Sequence, residues 1–266
     1  MRKILLAGLA VAASLVPAMA ADVAPAYIAP PPAWSWTGFY IGANAGWAGS
    51  TDAVTNLGTD TGAGGLGMSL LKGGIPGAIN LNETGFMGGG QVGYNWQVAP
   101  TWVVGIEADF EGLDAKGTNA FTFLGGGGLL PITTTFSREL DWLGTVRGRF
   151  GYLWFPSLLL YGTGGLAYGE NKIGTAAVCP AWTPPCQAEG STANQTSNTS
   201  AGFTLGAGAE WRFAPAWSVR TEYLYVEFGS HSNAISYPYG ANVSTLTSSV
   251  RERDNIVRFG VSYMFY

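Results

Sequence analysis

Beyond residue 36 the chain alternates large apolar side chains with small or polar ones in eight stretches, 37–47, 86–96, 102–111, 140–152, 159–169, 203–213, 217–228 and 256–265. Successive side chains on a strand point to opposite faces, so a period of two marks strands whose two sides meet different surroundings. In the first stretch Phe39, Ile41, Ala43, Ala45 and Trp47 oppose Tyr40, Gly42, Asn44 and Gly46. In the third, Trp102, Val104, Ile106, Ala108 and Phe110 oppose Val103, Gly105, Glu107 and Asp109. The fourth sets Trp142, Val146, Phe150 and Tyr152 against Asp141, Thr145, Arg147 and Arg149, and the last sets Val257, Phe259, Val261, Tyr263 and Phe265 against Arg258, Gly260 and Ser262. The fifth stretch is mixed on both faces and its parity stays open. No later segment sustains the helical period of 3.6.

The connections carry a second pattern. Short turns around Pro100, Pro156 and Pro215 alternate with Gly-, Ser- and Thr-rich segments near 48–85, 112–139, 170–202 and 229–255. Short on one side and long on the other is the habit of outer-membrane barrels. A soluble barrel would need a wetted face rich in Lys and Glu. Here the second face is mostly Gly, Asn and Thr with a few charges. Turning Arg147 and Arg149 toward lipid would cost roughly 2–4 kcal/mol apiece near the midplane, which fixes the parity. The expected fold is all-β, an eight-stranded antiparallel up-and-down transmembrane β-barrel over residues 37–266.

Composition narrows the function. Of 266 residues 40 are Gly and only 11 % are charged, less than half the share of about 25 % in ordinary globular chains. With 13 Lys and Arg and a net charge of −4 the chain has no basic surface for a run of phosphates, so nucleic acid is excluded as a partner. Arg2 and Lys3 followed by the apolar run 4–16 and by Ala18, Met19 and Ala20 read as a secretory signal peptide over residues 1–20. That run is too short to span a bilayer. Cleavage after Ala20 leaves 11 basic against 17 acidic residues, a net charge of −6. Residues 21–36, with Pro25, Pro30, Pro31 and Pro32, read as a periplasmic linker. The two cysteines, Cys179 and Cys186, flank a segment containing Pro180, Pro184 and Pro185, where an oxidising compartment closes a small loop disulfide. Their spacing is not C-x-x-C, and no metal is expected there.

Three segments carry a family resemblance: WTGFYIGANAGWA from Trp36 to Ala48, GGQVGYNWQ from Gly89 to Gln97, and the closing run from Val257 to Tyr266. Together they resemble the small porin-like outer-membrane proteins of alphaproteobacteria, a family that includes surface antigens and haemin-binding members. The resemblance implies one eight-stranded OmpA-like barrel in the bacterial outer membrane. Such chains usually end on a lipid-facing Phe; here Phe265 has that parity and Tyr266 follows it.

The inward face holds the charges Glu107, Asp109, Glu210 and Glu222 against Arg147, Arg149, Arg220 and Arg258. An eight-stranded barrel has room only for its own side chains, so these ions are expected to pair into a structural polar core, with Glu107 near the height of Arg147 or Arg149 and Glu210 near Arg220. A sharper alternative makes them a gate that rearranges to pass small ions. His231 lies between Ser230 and Ser232 in a segment read as a loop. Neighbouring residues point apart, so neither serine meets the imidazole, and no catalytic role is assigned to it. Haem capture would fall to Tyr237 or Tyr239. Two G-x-G-x-x-G matches, Gly62, Gly64, Gly67 and Gly88, Gly90, Gly93, lack the strand and helix of a dinucleotide site. The run Arg251, Glu252, Arg253, Asp254 reads as a solvated rim in reach of lipopolysaccharide phosphates. The expected role is structural and envelope-stabilising, weakly porin-like and not enzymatic, with no cofactor; the partners are outer-membrane lipid, lipopolysaccharide and the barrel-assembly machinery. The competing role is a surface barrel binding haemin or a host component through its loops.

Overall fold

Period-two segments bounded by Pro-containing turns form antiparallel hairpins, and eight of them close on themselves. In a computed structural model describing residues 35–60, 76–125, 130–179, 190–239 and 242–265, the strands are β1 (Gly38–Asp60), β2 (Ala78–Ala99), β3 (Trp102–Gly125), β4 (Leu130–Phe155), β5 (Leu158–Cys179), β6 (Gly190–Ala214), β7 (Trp217–Tyr239) and β8 (Asn242–Met264). They form a closed barrel in sequence order, each antiparallel to its neighbours, with β8 returning to β1. The expected signal peptide, the linker up to residue 34, the first glycine motif, Cys186 and the side chains of Cys179, Tyr237 and Tyr239 lie outside the described residues.

The turns at Pro100, Pro156 and Pro215 connect β2 to β3, β4 to β5 and β6 to β7, and each adjoins a register shift, at Gln97/Ala99, Leu153/Phe155 and Arg212/Ala214. An extra residue on one strand sharpens the local twist and suits a tight reversal.

The strands run 22 to 26 residues, about twice the 9–11 a tilted strand needs to cross a bilayer. Much of what the sequence presents as loops, including 112–125, 130–139, 170–179 and 242–255, continues the barrel wall. The hydrophobic alternation ends there because the outward face changes character. Along β1 the outward side chains are apolar from Phe39 to Trp47, and along β8 from Val257 to Phe265. Beyond those limits β8 turns Ser249, Arg251, Arg253 and Asn255 outward. The wall therefore has two storeys: a belt with an apolar exterior and an outer storey with a polar one.

The interior is layered on its own plan, apolar and charged strata alternating along the barrel axis. At the turn end Trp36, Tyr40, Val103, Leu153, Leu159, Tyr161 and Met264 form a floor. Trp36, the last residue assigned to the linker, is fully buried, and its indole N–H donates to the Pro156 carbonyl at 3.0 Å. Above the charged layer of the belt, Met87, Leu140, Leu143, Leu224, Val226, Phe228 and Ile256 form an apolar stratum. A second apolar core of Val54, Leu81, Phe123, Ile132, Phe136, Ile235, Leu246 and Val250 fills the outer storey. Burying such side chains stabilises by about 1.5–3 kcal/mol each, the economy of a soluble barrel.

β5 acquires the parity its sequence leaves open: Leu160, Leu166 and Tyr168 face out, Leu159, Tyr161 and Ala167 face in. Both faces look apolar because the lumen receives Tyr161.

Candidate functional site

Inward positions of β3, β4, β6, β7 and β8 place Glu107, Asp109, Arg147, Arg149, Glu210, Arg220, Glu222 and Arg258 in the belt interior, none more than 5 % exposed. Pairing register sets Glu107 opposite Arg147, Glu210 opposite Arg220 and Glu222 opposite Arg258. Arg147 is the hub: Nη2 donates to Glu107 Oε1 at 2.5 Å and Asp109 Oδ2 at 2.8 Å, and Nη1 donates to Glu222 Oε1 at 3.1 Å. Arg258 crosses the lumen, donating from Nε to Glu222 Oε2 at 2.7 Å and from Nη2 to Asp109 Oδ2 at 2.9 Å, and it also holds Glu111.

Arg220 donates to Glu107 and not to Glu210, its cross-strand neighbour. Glu210 is taken by Arg149 at 2.8 Å and by the Ser218 hydroxyl at 2.6 Å. These two residues share a height without pairing, because a long guanidinium in a narrow lumen reaches the carboxylates on the far wall.

Sequence reasoning missed three members. Glu111 continues the Glu107, Asp109 alternation by one step and leaves the layer with five carboxylates against four arginines. The Tyr40 hydroxyl donates to Glu107 Oε2 at 2.6 Å and accepts from Arg149 Nη1 at 3.2 Å. The Arg149 guanidinium also stands 4.0 Å over the Tyr161 ring. Gly93, last of the second glycine motif, faces Tyr40 across the β1/β2 pair, and a Cβ there would collide with the phenol. Gly93 makes room for an aromatic ring.

A second charged layer lies in the outer storey, built from residues of segments that read as loops. Arg138 on β4 donates from Nη1 to Asp52 Oδ2 and Glu83 Oε2, both at 2.9 Å, and from Nη2 to Asp254 Oδ2 and Asn171 Oδ1, both at 3.1 Å. Burial pushes Glu83 up to about 8 and Asp52 up to about 6 against the pull of Arg138. The carboxylate of Glu252, buried in the same layer, has no hydrogen-bond partner among the described residues, and burial raises its pKa as well. Here the wall is interrupted. Pairing of β1 with β8 lapses between Gly49/Asn255 and Val54/Val250, and the Asp52 carboxylate accepts the freed backbone N–H of Arg253 at 3.1 Å. A pocket of about 410 Å³ beside the gap is lined by Ser50, Glu83, Tyr225, Arg253 and their neighbours.

The Arg251 to Asp254 run alternates across the wall instead of forming a rim: Arg251 and Arg253 face outward, whereas Glu252 and Asp254 are buried inside. Lys116 and Lys172 join the outward cations just beyond the aromatic boundary, Lys116 with Asp114 and Glu139 at 2.9 Å and Lys172 with Asp141. A register shift between Leu140 and Trp142 carries Asp141 to that outer surface.

His231 is part of β7 and not of a loop. Ser230 and Ser232 do point away from its ring, but Ser200 of β6 does not: its Oγ lies 3.3 Å from His231 Nε2. On the other side His231 Nδ1 lies 3.2 Å from Glu252 Oε1.

The comparisons with known proteins give the family of this closed wall. The profile of the outer membrane protein beta-barrel domain covers residues 8–265. The 31 kDa outer-membrane immunogenic protein of Brucella melitensis is 35 % identical over the full length of both chains. The 22 kDa outer membrane protein of Rhizobium leguminosarum bv. viciae is 31 % identical over 75 % of this chain and 67 % of its own. Among solved structures the outer membrane protein OprG from Pseudomonas aeruginosa aligns with 86 % of this chain and 97 % of its own at 14 % identity, with a TM-score of 0.39. The chain belongs to the outer membrane protein β-barrel family and resides in the bacterial outer membrane.

Proposed function

We propose that the protein is a structural, envelope-stabilising barrel whose lumen is shut, passing small ions only when its ion pairs rearrange. The observation that carries this reading is the arginine and carboxylate layer centred on Arg147, which crosses the lumen from β3 and β4 to β7 and β8. Removing a charge from such a layer strands its partners in a water-poor interior, so the layer resists opening. Planar-bilayer recordings of the purified protein test it. The native barrel is expected to give no large steady openings. Glu107→Lys, which sets a fifth cation among Arg147, Arg149, Arg220 and Arg258, is expected to raise conductance by mutual repulsion. Large, stable openings in the unaltered protein contradict the reading.

The same reading takes in partners that suit the exterior. Lipid tails meet the apolar belt. Lys116, Lys172, Arg251 and Arg253, just outside it, suit the phosphates of lipopolysaccharide. The apolar outward face of β8 ending at Phe265 suits the barrel-assembly machinery. The Brucella relative's designation as immunogenic supports the outer storey as the surface presented outside the cell.

A further inference from the structure

The contact of Ser200 with His231 unites three residues from three strands, and none of them belongs to the lumen-closing layer. Ser200 is 3 % exposed, on β6. His231, on β7, presents Nε2 to the serine hydroxyl at 3.3 Å and Nδ1 to the Glu252 carboxylate of β8 at 3.2 Å. A nucleophile, a base and an acid that orients the base stand in that order. The contact to Glu252 falls short of hydrogen-bond alignment, and contacts of this kind tighten when substrate binds. Glu252 makes no other hydrogen bond among the described residues, so its carboxylate is free to serve the imidazole.

The backbone ladder is interrupted at this place, where side chains alone bridge β6 and β7, Asn194 Nδ2 donating to Asn233 Oδ1 at 3.1 Å. Backbone pairing of β6 with β7 ends at Phe203/Glu227, while β5 and β6 remain paired past Gly169/Ser200 to Cys179/Gly190. A register shift on β7 at Gly229 turns the strand, with φ at +93° and open space where a side chain would stand. Ser200 and His231 therefore sit at the lower end of a seam between two strands. That seam begins at the aromatic boundary of the belt, marked on these strands by Phe203 and Tyr225. Beneath it, buried inside the barrel, is the apolar stratum that includes Phe228, Val226 and Leu143.

We propose that Ser200, His231 and Glu252 form a hydrolytic site for acyl esters of membrane lipids, with Ser200 as nucleophile, His231 as general base and Glu252 as the positioning residue. The Ser200 Oγ bonds to the ester carbonyl carbon as its proton passes to His231 Nε2. The acyl C–O bond then breaks, and the alcohol leaves with that proton. Water, deprotonated by the same nitrogen, releases the fatty acid and restores the serine. Position favours a lipid ester over a soluble one, since these inward-facing residues are reached through an unpaired seam that starts at the aromatic boundary of the lipid-facing belt.

The test uses the full-length barrel in detergent micelles, with heat-modifiable migration confirming that every variant is folded. A fluorophosphonate probe is expected to form an adduct located at Ser200 by peptide mass spectrometry, absent in Ser200→Ala and slowed at least about 100-fold in His231→Ala. Glu252→Gln is expected to slow it roughly tenfold. p-Nitrophenyl palmitate should be hydrolysed faster than p-nitrophenyl butyrate. A folded native barrel that forms no adduct at Ser200, or that labels equally in His231→Ala, overturns the proposal, because a serine that merely braces the seam takes up no probe. Preference for butyrate overturns the lipid assignment.

Discussion

The same eight strands build two barrels of opposite polarity. In the belt, Ile41, Ile106, Phe150 and Phe259 stand exposed on the outside while Arg147, Arg258 and their carboxylates are buried. In the outer storey Leu81, Ile132, Phe136 and Leu246 are buried, and, Leu57 and Val178 apart, small and polar residues cover the outside. The chain keeps its alternation, and what reverses is the medium each face meets. Lipid rewards an apolar exterior and leaves the lumen to polar groups that satisfy one another, whereas water rewards an apolar core. Arg138 with its four partners and Glu252 form a charged layer within the outer core, and there the pairing of β1 with β8 is interrupted.

The largest effect is expected from breaking the belt's hub. Arg147→Leu removes from Glu107, Asp109 and Glu222 one of the cations they share, at a cost of about 3–5 kcal/mol, which urea unfolding of the lipid-reconstituted protein should show as an early loss of the whole barrel. Next comes a matched pair of outward substitutions. Ile106→Arg, in the belt, should cost roughly 2–4 kcal/mol. Thr135→Arg, with the same outward parity in the outer storey, should stay within about 0.5 kcal/mol in the same assay. Equal costs would erase the distinction between the storeys.

The smallest effect is confined to the outer storey. Glu83 is held near 8, above its ordinary 4.5, so the folded outer storey binds that proton more tightly than the unfolded chain. The resulting stabilisation is complete below the ordinary value and is lost as pH rises through about 8. Amide exchange around Glu83 and Arg138, corrected for its intrinsic pH dependence, should accelerate from pH 5 to pH 8.5 relative to belt amides. Glu83→Gln should flatten that difference.

The belt was legible in the sequence because lipid demands a continuous apolar face, so Phe39 to Trp47 and Val257 to Phe265 announce both strand and parity. The expected heights of the luminal charges follow from that parity; their partners do not, since Arg220 reaches across to Glu107 past its neighbour Glu210. The outer storey was hidden. On its strands the inward side mixes Leu246 and Val250 with Glu252 and Asp254, and the outward side carries Thr247 and Ser249, so the alternation survives with its sense reversed and its contrast weakened. Ser200 and His231 lie thirty-one positions apart, and only the strand pairing brings them together.

Cysteine scanning along the outward face of β8 tests the reversal most directly, in a Cys179→Ser, Cys186→Ser background reconstituted into liposomes. A water-soluble maleimide should label cysteines placed at Thr247, Ser249, Arg251 and Arg253 and spare those at Val257, Phe259 and Val261. Labelling at Val257 to Val261, or protection at Thr247 and Ser249, would contradict the two-storey wall.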